Sequence, residues 1–420
     1  MIKQLTMENW KSFSKATLYI DPLGVLIGTN ASGKSNALDA FLFLNCIANG
    51  ISLTEALAGN ANLSGLRGGV EWATLIGREF FSLSVAVSFD LIKTDFIYSV
   101  KASVNGSQCE IREESLKRLK YRPSNLGGKP YEVFLFRTEE CSVDSPIITV
   151  RLYNEKRGTP RQSNRTHTIL SQLAQQSVRK EIQEGIDIVL RNTRNIFVLD
   201  PIPANMRDYC PLSDQLMPDA SNIAGTIAAL SDEKRNEIES AVQNYVRHLP
   251  ERDIQRIWAE KVGRFATDAI LYCEEHWSEN PNALVQTVDS RGMSDGTLRF
   301  LAILTALLTR PSGSLLIIEE VDNGLHPSRA HLLVRMLREL GVKRGVDVLV
   351  TTHNPALLDA LGPEMTPFVT VSHRDSDSGH SCLTLLEDVQ QLPKLLAMGS
   401  IGRLSTSGRL EQALSARNGE

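Results

Sequence analysis

The sequence predicts an α/β fold in which a mixed, partly parallel sheet is flanked by helices and interrupted by an inserted, mainly helical subdomain. Three observations carry this expectation. Residues 315–318, and 346–351 apart from Asp347, are short runs of apolar and β-branched residues, the composition of strands covered on both faces of a parallel sheet. A third apolar run, residues 25–27, passes straight into a glycine-rich loop and then an apolar helix. Across 105–284 the alternation of strand and helix gives way to apolar residues at helical spacing.

In chain order, residues 1–104 form an N-terminal lobe. Residues 2–6, 16–20 and 25–27 read as strands, and residues 81–89 alternate with period two. The loop after residue 27 runs Gly28, Thr29, Asn30, Ala31, Ser32, Gly33, Lys34, Ser35, Asn36, which is GxxxxGKS, a phosphate-binding P-loop. Gly28 and Gly33 let the backbone turn with its N–H groups inward, Lys34 reaches terminal phosphates, and Ser35 offers a hydroxyl to Mg²⁺. A chance glycine turn would match in on the order of one chain in a hundred of this length. The strand before the loop, and Ala37, Leu38, Ala40, Phe41, Leu42 and Leu44 after it, make accident a poorer explanation. Residues 105–284 are expected as the inserted subdomain, with helices near 169–190, 237–249 and 253–277; Ile238, Val242, Tyr245, Val246 and Leu249 recur at helical spacing in the second. No long heptad repeat suggests a coiled-coil arm. Residues 285–420 return to strand and helix as a C-terminal lobe.

Three further motifs lie in that lobe. The run 315–318 ends in Glu319 and Glu320. An apolar strand ending in two acids usually marks only a sheet edge. Beside a P-loop, one carboxylate can hold Mg²⁺, the role assigned to Glu319, and the other can orient or deprotonate the attacking water, the role assigned to Glu320. Ser294, Asp295 and Gly296 open an apolar helix whose first-turn N–H groups suit an anion; a plain N-cap is the alternative. His353 stands two residues beyond the run 346–351 and can donate to a γ-phosphate or to water, although a lone histidine at a strand end is more often passive.

Taken in order, the P-loop, the Ser294 loop, the paired acids, Asn323-Gly-Leu-His-Pro327 and Thr351-Thr-His353 resemble the ABC-type ATPases of the SMC and RecF kind, and most closely the OLD-like AAA-family ATPases. The opening Glu8-Asn-Trp-Lys-Ser-Phe13 and Asn36 after the P-loop serine fit the same group. The resemblance covers about residues 1–80 and 285–360. It implies a P-loop NTPase of the ABC-ATPase head type, with ATP and Mg²⁺ as cofactors. It further implies catalysis by Glu320 and His353, metal binding by Ser35 and Glu319, and ATP contacts from Lys11, Ser12 and residues 28–36. Ser294, Asp295 and Gly296 would form a signature loop acting in trans, and Asp322 and Asn323 a coupling loop between two sites. The expected partner is a second copy, as a homodimer or higher homo-oligomer with nucleotide sandwiched between heads.

The chain departs from that pattern in three respects. Glu319 stands where many ABC ATPases have Asp, no glutamine marks a Q-loop, and residues 1–420 are expected to hold no acidic metal-binding nuclease domain of the kind OLD nucleases carry. A separately encoded nuclease or toxin effector is therefore the expected companion, with a role in anti-phage defence. DNA repair or chromosome maintenance without such an effector, and a transporter's ATP-binding subunit, are the alternatives. Arg67, in Arg67-Gly-Gly69, is either a phosphate or interface contact or a solvated turn residue.

Composition limits the remaining choices. The chain of 420 residues is 42% hydrophobic with net charge −4, enough for two or three domains but not a protein basic throughout. DNA contact would need a local patch. Residues 151–165, with Arg151, Lys156, Arg157, Arg161 and Arg165 against Glu155, offer one, and a solvated loop explains the same charges. Six scattered cysteines without CxxC imply neither zinc nor disulfides. No signal peptide is apparent, and the most apolar run, residues 298–308, contains Arg299 and is too short to cross a bilayer. The expectation is a cytoplasmic protein without direct membrane insertion.

Overall fold

The computed structural model describes residues 1–90, 94–121, 130–142, 145–246, 254–275, 285–390 and 392–415. Its core is a fourteen-stranded sheet with two characters. At one end Val369–Arg374, Leu23–Ile27, Asp347–Thr352, Leu315–Ile318 and Ile196–Leu199 lie side by side, all parallel. These strands are short and almost wholly buried, as apolar runs covered by helices on both faces must be. At the other end Ile2–Trp10, Phe80–Asp90, Thr94–Asn105, Gln108–Lys120, Tyr131–Thr138, Ile147–Leu152 and Thr159–Asn164 follow as an antiparallel meander. Here burial alternates, one face packing inward and the other polar, as the period-two pattern of residues 81–89 requires.

Register aligns the parallel strands at their carboxyl ends. Ile27 pairs with Thr352, and Ile318 pairs with both Val350 and Leu199. The residues that follow, Gly28, Glu319, His353 and Asp200, therefore emerge along one edge of the sheet, where open α/β sheets bind ligands. Helix Lys34–Ala48 packs on one face, with Phe43 and Phe81 5.5 Å apart and Trp10 4.9 Å from Phe81 between ring centroids. Helices Asp295–Thr309 and Ala330–Arg344 belong to the core that includes Val25, Leu316 and Val348.

The subdomain expected over 105–284 is corrected in content and in boundary. Residue 105 closes a hairpin, Thr94–Asn105 with Gln108–Lys120, so a boundary there divides paired strands. Ile196–Leu199 completes the parallel sheet beside Leu315–Ile318. Helices Ile169–Ala174, Lys180–Arg194, Ile223–Ala229 and Asp232–Val246 are present, but strands take up as much of the region. The segment read as a helix over 253–277 is a hairpin, Ile254–Val262 against Asp268–Glu275. A register shift between Ile254 and Arg256 leaves Ile254 and Ile257 both buried, and that three-residue spacing imitates a helix. Trp258 and Tyr272, directly opposite, stack with centroids 5.6 Å apart. Leu249, Asp253 and Trp277 lie outside the described residues.

The basic segment 151–165 is likewise no loose loop. It forms the outermost hairpin of the sheet, and three of its five cations are engaged within the chain. Arg151 pairs with Glu139. Arg161 donates to Gln176 at 2.8 Å. Arg165, its side chain 3% exposed, donates to the carbonyls of Ile111 and Ser145 and pairs with Glu110. Among the described residues, no helix is long and apolar enough to cross a membrane.

Candidate nucleotide site

The P-loop leaves Leu23–Ile27 at Gly28, whose φ of 147° and close approach to the Ser372 carbonyl, 2.1 Å from an imagined Cβ, admit only glycine. Thr29, Asn30 and Ala31 form the exposed crest, and Ala31 holds φ 61° with its carbonyl accepting from Arg374 at 2.9 Å. Ser32 is buried; its carbonyl accepts from Ser372 and its Oγ has no hydrogen-bond partner among the described residues. Gly33 caps helix Lys34–Ala48 at φ 116°, and a Cβ there would meet Ser381. The N–H groups at the start of an α-helix have no intrahelical acceptor, so this helix start and the glycine-rich loop before it make a cradle suited to phosphate.

Lys34 is folded back onto that cradle, donating to the carbonyls of Gly28 at 2.6 Å and Thr29 at 2.9 Å. Partial burial lowers its pKa, while Glu320 and Glu319 oppose the shift. Ser35 Oγ donates to Glu319 Oε1 at 2.6 Å across two elements 284 residues apart in sequence. Arg67 Nη2 donates to the other oxygen, Glu319 Oε2, at 2.7 Å. Arg67 thus pairs with an acid of the site while its side chain stays 59% exposed, an engagement that neither the phosphate-or-interface reading nor the solvated-turn reading specifies. A hydroxyl beside a carboxylate is a hard-oxygen pair suited to Mg²⁺, which takes few protein ligands and completes its shell with phosphate and water.

Glu320 follows in the left-handed region, φ 47°, a conformation non-glycine residues rarely adopt. Its N–H donates to Thr351 Oγ1 at 2.8 Å, and Asn323 Nδ2 donates to its Oε2 at 3.3 Å. Asp322 accepts from Thr352 Oγ1. These bonds join the loop after one strand to the end of the next, where His353 stands exposed. Ser294, expected in a signature loop, caps helix Asp295–Thr309: its Oγ accepts from the Thr297 N–H at 3.2 Å. Gly296 packs so closely on the loop 322–324 that a Cβ would lie 2.7 Å from the Gly324 carbonyl. None of the hydrogen bonds or ion pairs among the described residues joins Ser294 or Asp295 to residues 28–36.

Lys11 and Ser12 are placed beneath the loop. Lys11 is buried, its ammonium on Asp39 and the Arg67 carbonyl, so its charge is already met. Ser12 Oγ accepts from Asn36 Nδ2 at 2.7 Å and from Ser381 at 2.8 Å, and Trp10 donates to the Asn36 carbonyl. Two residues escaped the sequence reading. Asp200 ends the strand beside that of Glu319, and burial raises its carboxyl pKa, with Glu319 and Glu320 adding to the effect and Arg299 opposing it. An apolar strand ending in an acid, the signal used for Glu319, also occurs at residues 196–200. Arg207 grips the Ser294 loop, and no local pattern announces it.

A family model described as "AAA domain, putative AbiEii toxin, Type IV TA system" matches residues 23–359. No curated protein matches the sequence. Solved structures with similar folds include an SMC head bound to the C-winged helix domain of ScpA, at 13% identity over 91% of this chain and 97% of that one, TM-score 0.47. The SMC head domain from Thermotoga maritima matches at 12% identity over 91% and 98%, TM-score 0.40. A Smc head with an extended coiled coil bound to the C-terminal domain of ScpA derived from Pyrococcus furiosus matches at 12% over 94% and 99%, TM-score 0.46.

Proposed function

The chain belongs to that family of AAA-domain proteins, and from this premise we propose that it is a Mg²⁺-dependent ATPase whose two copies, set head to tail, enclose nucleotide between the P-loop of one and the Ser294 loop of the other. The observation that supports the reading most is the convergence of Ser35, Glu319 and Arg67 at the phosphate cradle, with Ser35 and Glu319 2.6 Å apart. Ser35 and Glu319 would hold Mg²⁺, which supplies a counter-charge to the β- and γ-phosphates. Lys34 exchanges its carbonyl partners for phosphate oxygens, and the first turn of its helix takes the rest of the negative charge. Glu320, fixed by Thr351 and Asn323, accepts the proton of the attacking water. His353, at the end of the neighbouring strand, donates to the γ-phosphate or to that water.

Glu320→Gln tests this reading. The variant should bind ATP and collect as a nucleotide-bound dimer while phosphate release falls by about 10²–10⁴-fold. Hydrolysis at the normal rate would remove Glu320 from the chemistry. In this reading ATP closes the pair and hydrolysis opens it, a timed clamp. The clamp works with a separately encoded nuclease or toxin, in keeping with the toxin–antitoxin wording of the family description. Purification from the native cell should retrieve that effector, and its absence would leave the ATPase to act alone.

A further inference from the structure

Arg207 lies outside every motif of the sequence, just after the turn Pro203–Met206 in the segment leaving strand Ile196–Leu199. Its Nη1 donates to the carbonyls of Ser290 at 3.1 Å, Arg291 at 2.9 Å and Met293 at 2.8 Å. Its Nη2 donates to Asp295 Oδ1 at 2.5 Å, and Ser290 Oγ returns a bond to the Arg207 carbonyl at 2.7 Å. One guanidinium thus fastens both sides of Ser294. The planar fork of arginine can serve several acceptors at once, which an ammonium on a flexible stem does less well.

Asp295 gives the grip a second purpose. Its side chain is 66% exposed in the first turn of helix Asp295–Thr309, at the end whose partial positive charge attracts anions. An unpaired carboxylate there would repel a triphosphate. Arg207 offsets that charge and draws the carboxylate towards the 290–293 turn. The segment that carries Arg207 begins at Asp200, and the Glu319 N–H donates to the Leu199 carbonyl at 3.2 Å. A short stretch of chain therefore runs from the acids of one site to the loop expected to serve another.

We propose that Arg207 is a positioning residue that presets the Ser294 loop for the triphosphate held by a second copy of the chain. The inference rests on the head-to-tail reading above. It places Arg207 in the service of the other subunit's site and not of its own P-loop.

Subunit mixing tests it with the 420-residue chain. Arg207→Ala should bind an ATP analogue as tightly as the parent when dilute, yet release phosphate on the order of 10²-fold more slowly. Mixed with Lys34→Ala, which keeps an intact Ser294 loop, it should form one complete composite site and recover at least about tenfold in turnover over either variant alone. Arg207→Lys, which keeps the charge near Asp295 but not the fork, should fall between parent and Arg207→Ala. Ser294→Ala mixed with Lys34→Ala is the control for the head-to-tail reading. If that control recovers and the Arg207→Ala mixture does not, Arg207 does not act in trans. If the control also fails, the paired-head reading itself is overturned. Loss of analogue binding by Arg207→Ala alone would overturn the inference by assigning Arg207 to its own site or to folding.

Discussion

Replacing Lys11 with Met removes half of an enclosed ion pair beneath the P-loop, and the cost follows from the geometry. The Lys11 ammonium lies 2.5 Å from Asp39 Oδ2, with the two side chains 5% and 2% exposed, and also donates to the Arg67 carbonyl at 2.7 Å. Methionine fills most of the lysine stem's volume, so little cavity is left and the loss is mainly electrostatic. An uncompensated buried carboxylate costs about 3–5 kcal/mol, and the lost bond to Arg67 adds roughly 1 kcal/mol. Urea unfolding should therefore show Lys11→Met destabilised by about 4 kcal/mol or more. The double variant Lys11→Met/Asp39→Leu should recover most of that loss, because a buried pair can be exchanged for apolar side chains at little cost. A loss below about 1 kcal/mol, or a double variant no more stable than the summed single losses, would refute the argument. A stability effect of the expected size would also explain why Lys11 serves the loop as a support, its charge being spent on Asp39.

Two other outcomes follow from the same structure. Gly296→Ala places a Cβ 2.7 Å from the Gly324 carbonyl. It should destabilise the fold by about 1–3 kcal/mol in urea unfolding; unchanged unfolding would show that the loop 322–324 yields freely. Glu114 is buried where the N–H groups of Ile169 and Leu170 and the Tyr98 hydroxyl donate to it; burial pushes its pKa up to about 7 from 4.5, those bonds offsetting part of the rise. Because the folded state holds this proton more tightly, its stabilisation is full below pH about 4.5 and is lost as pH rises through about 7. Glu114→Gln should flatten the decline across that window by about 3 kcal/mol, leaving the slope due to Asp347, whose pKa burial also raises to about 7. Equal slopes in the two proteins would contradict this account.

Much of the parallel half was legible because its signals are local. Strand, glycine turn and helix start occupy consecutive residues at 25–44, and the fully apolar run 315–318 is a strand with those same bounds in the structure. The hairpin at 254–275 was not legible, since a bulge replaced alternation with a helix-like spacing. Nor was the role of residues 196–199, whose place is set by pairing with a strand more than a hundred residues later.

By itself the sequence determined the chemistry on offer: a phosphate cradle, a hydroxyl, two adjacent carboxylates and a capped helix, each written in a few neighbouring residues. Which groups meet was decided only by the tertiary structure. Register along the sheet aligns the strand ends and brings Ser35, Arg67 and Glu319 into contact, and the path from Asp200 carries Arg207 to the Ser294 loop. Backbone pairing between distant segments sets those positions, and no short pattern of side chains encodes it.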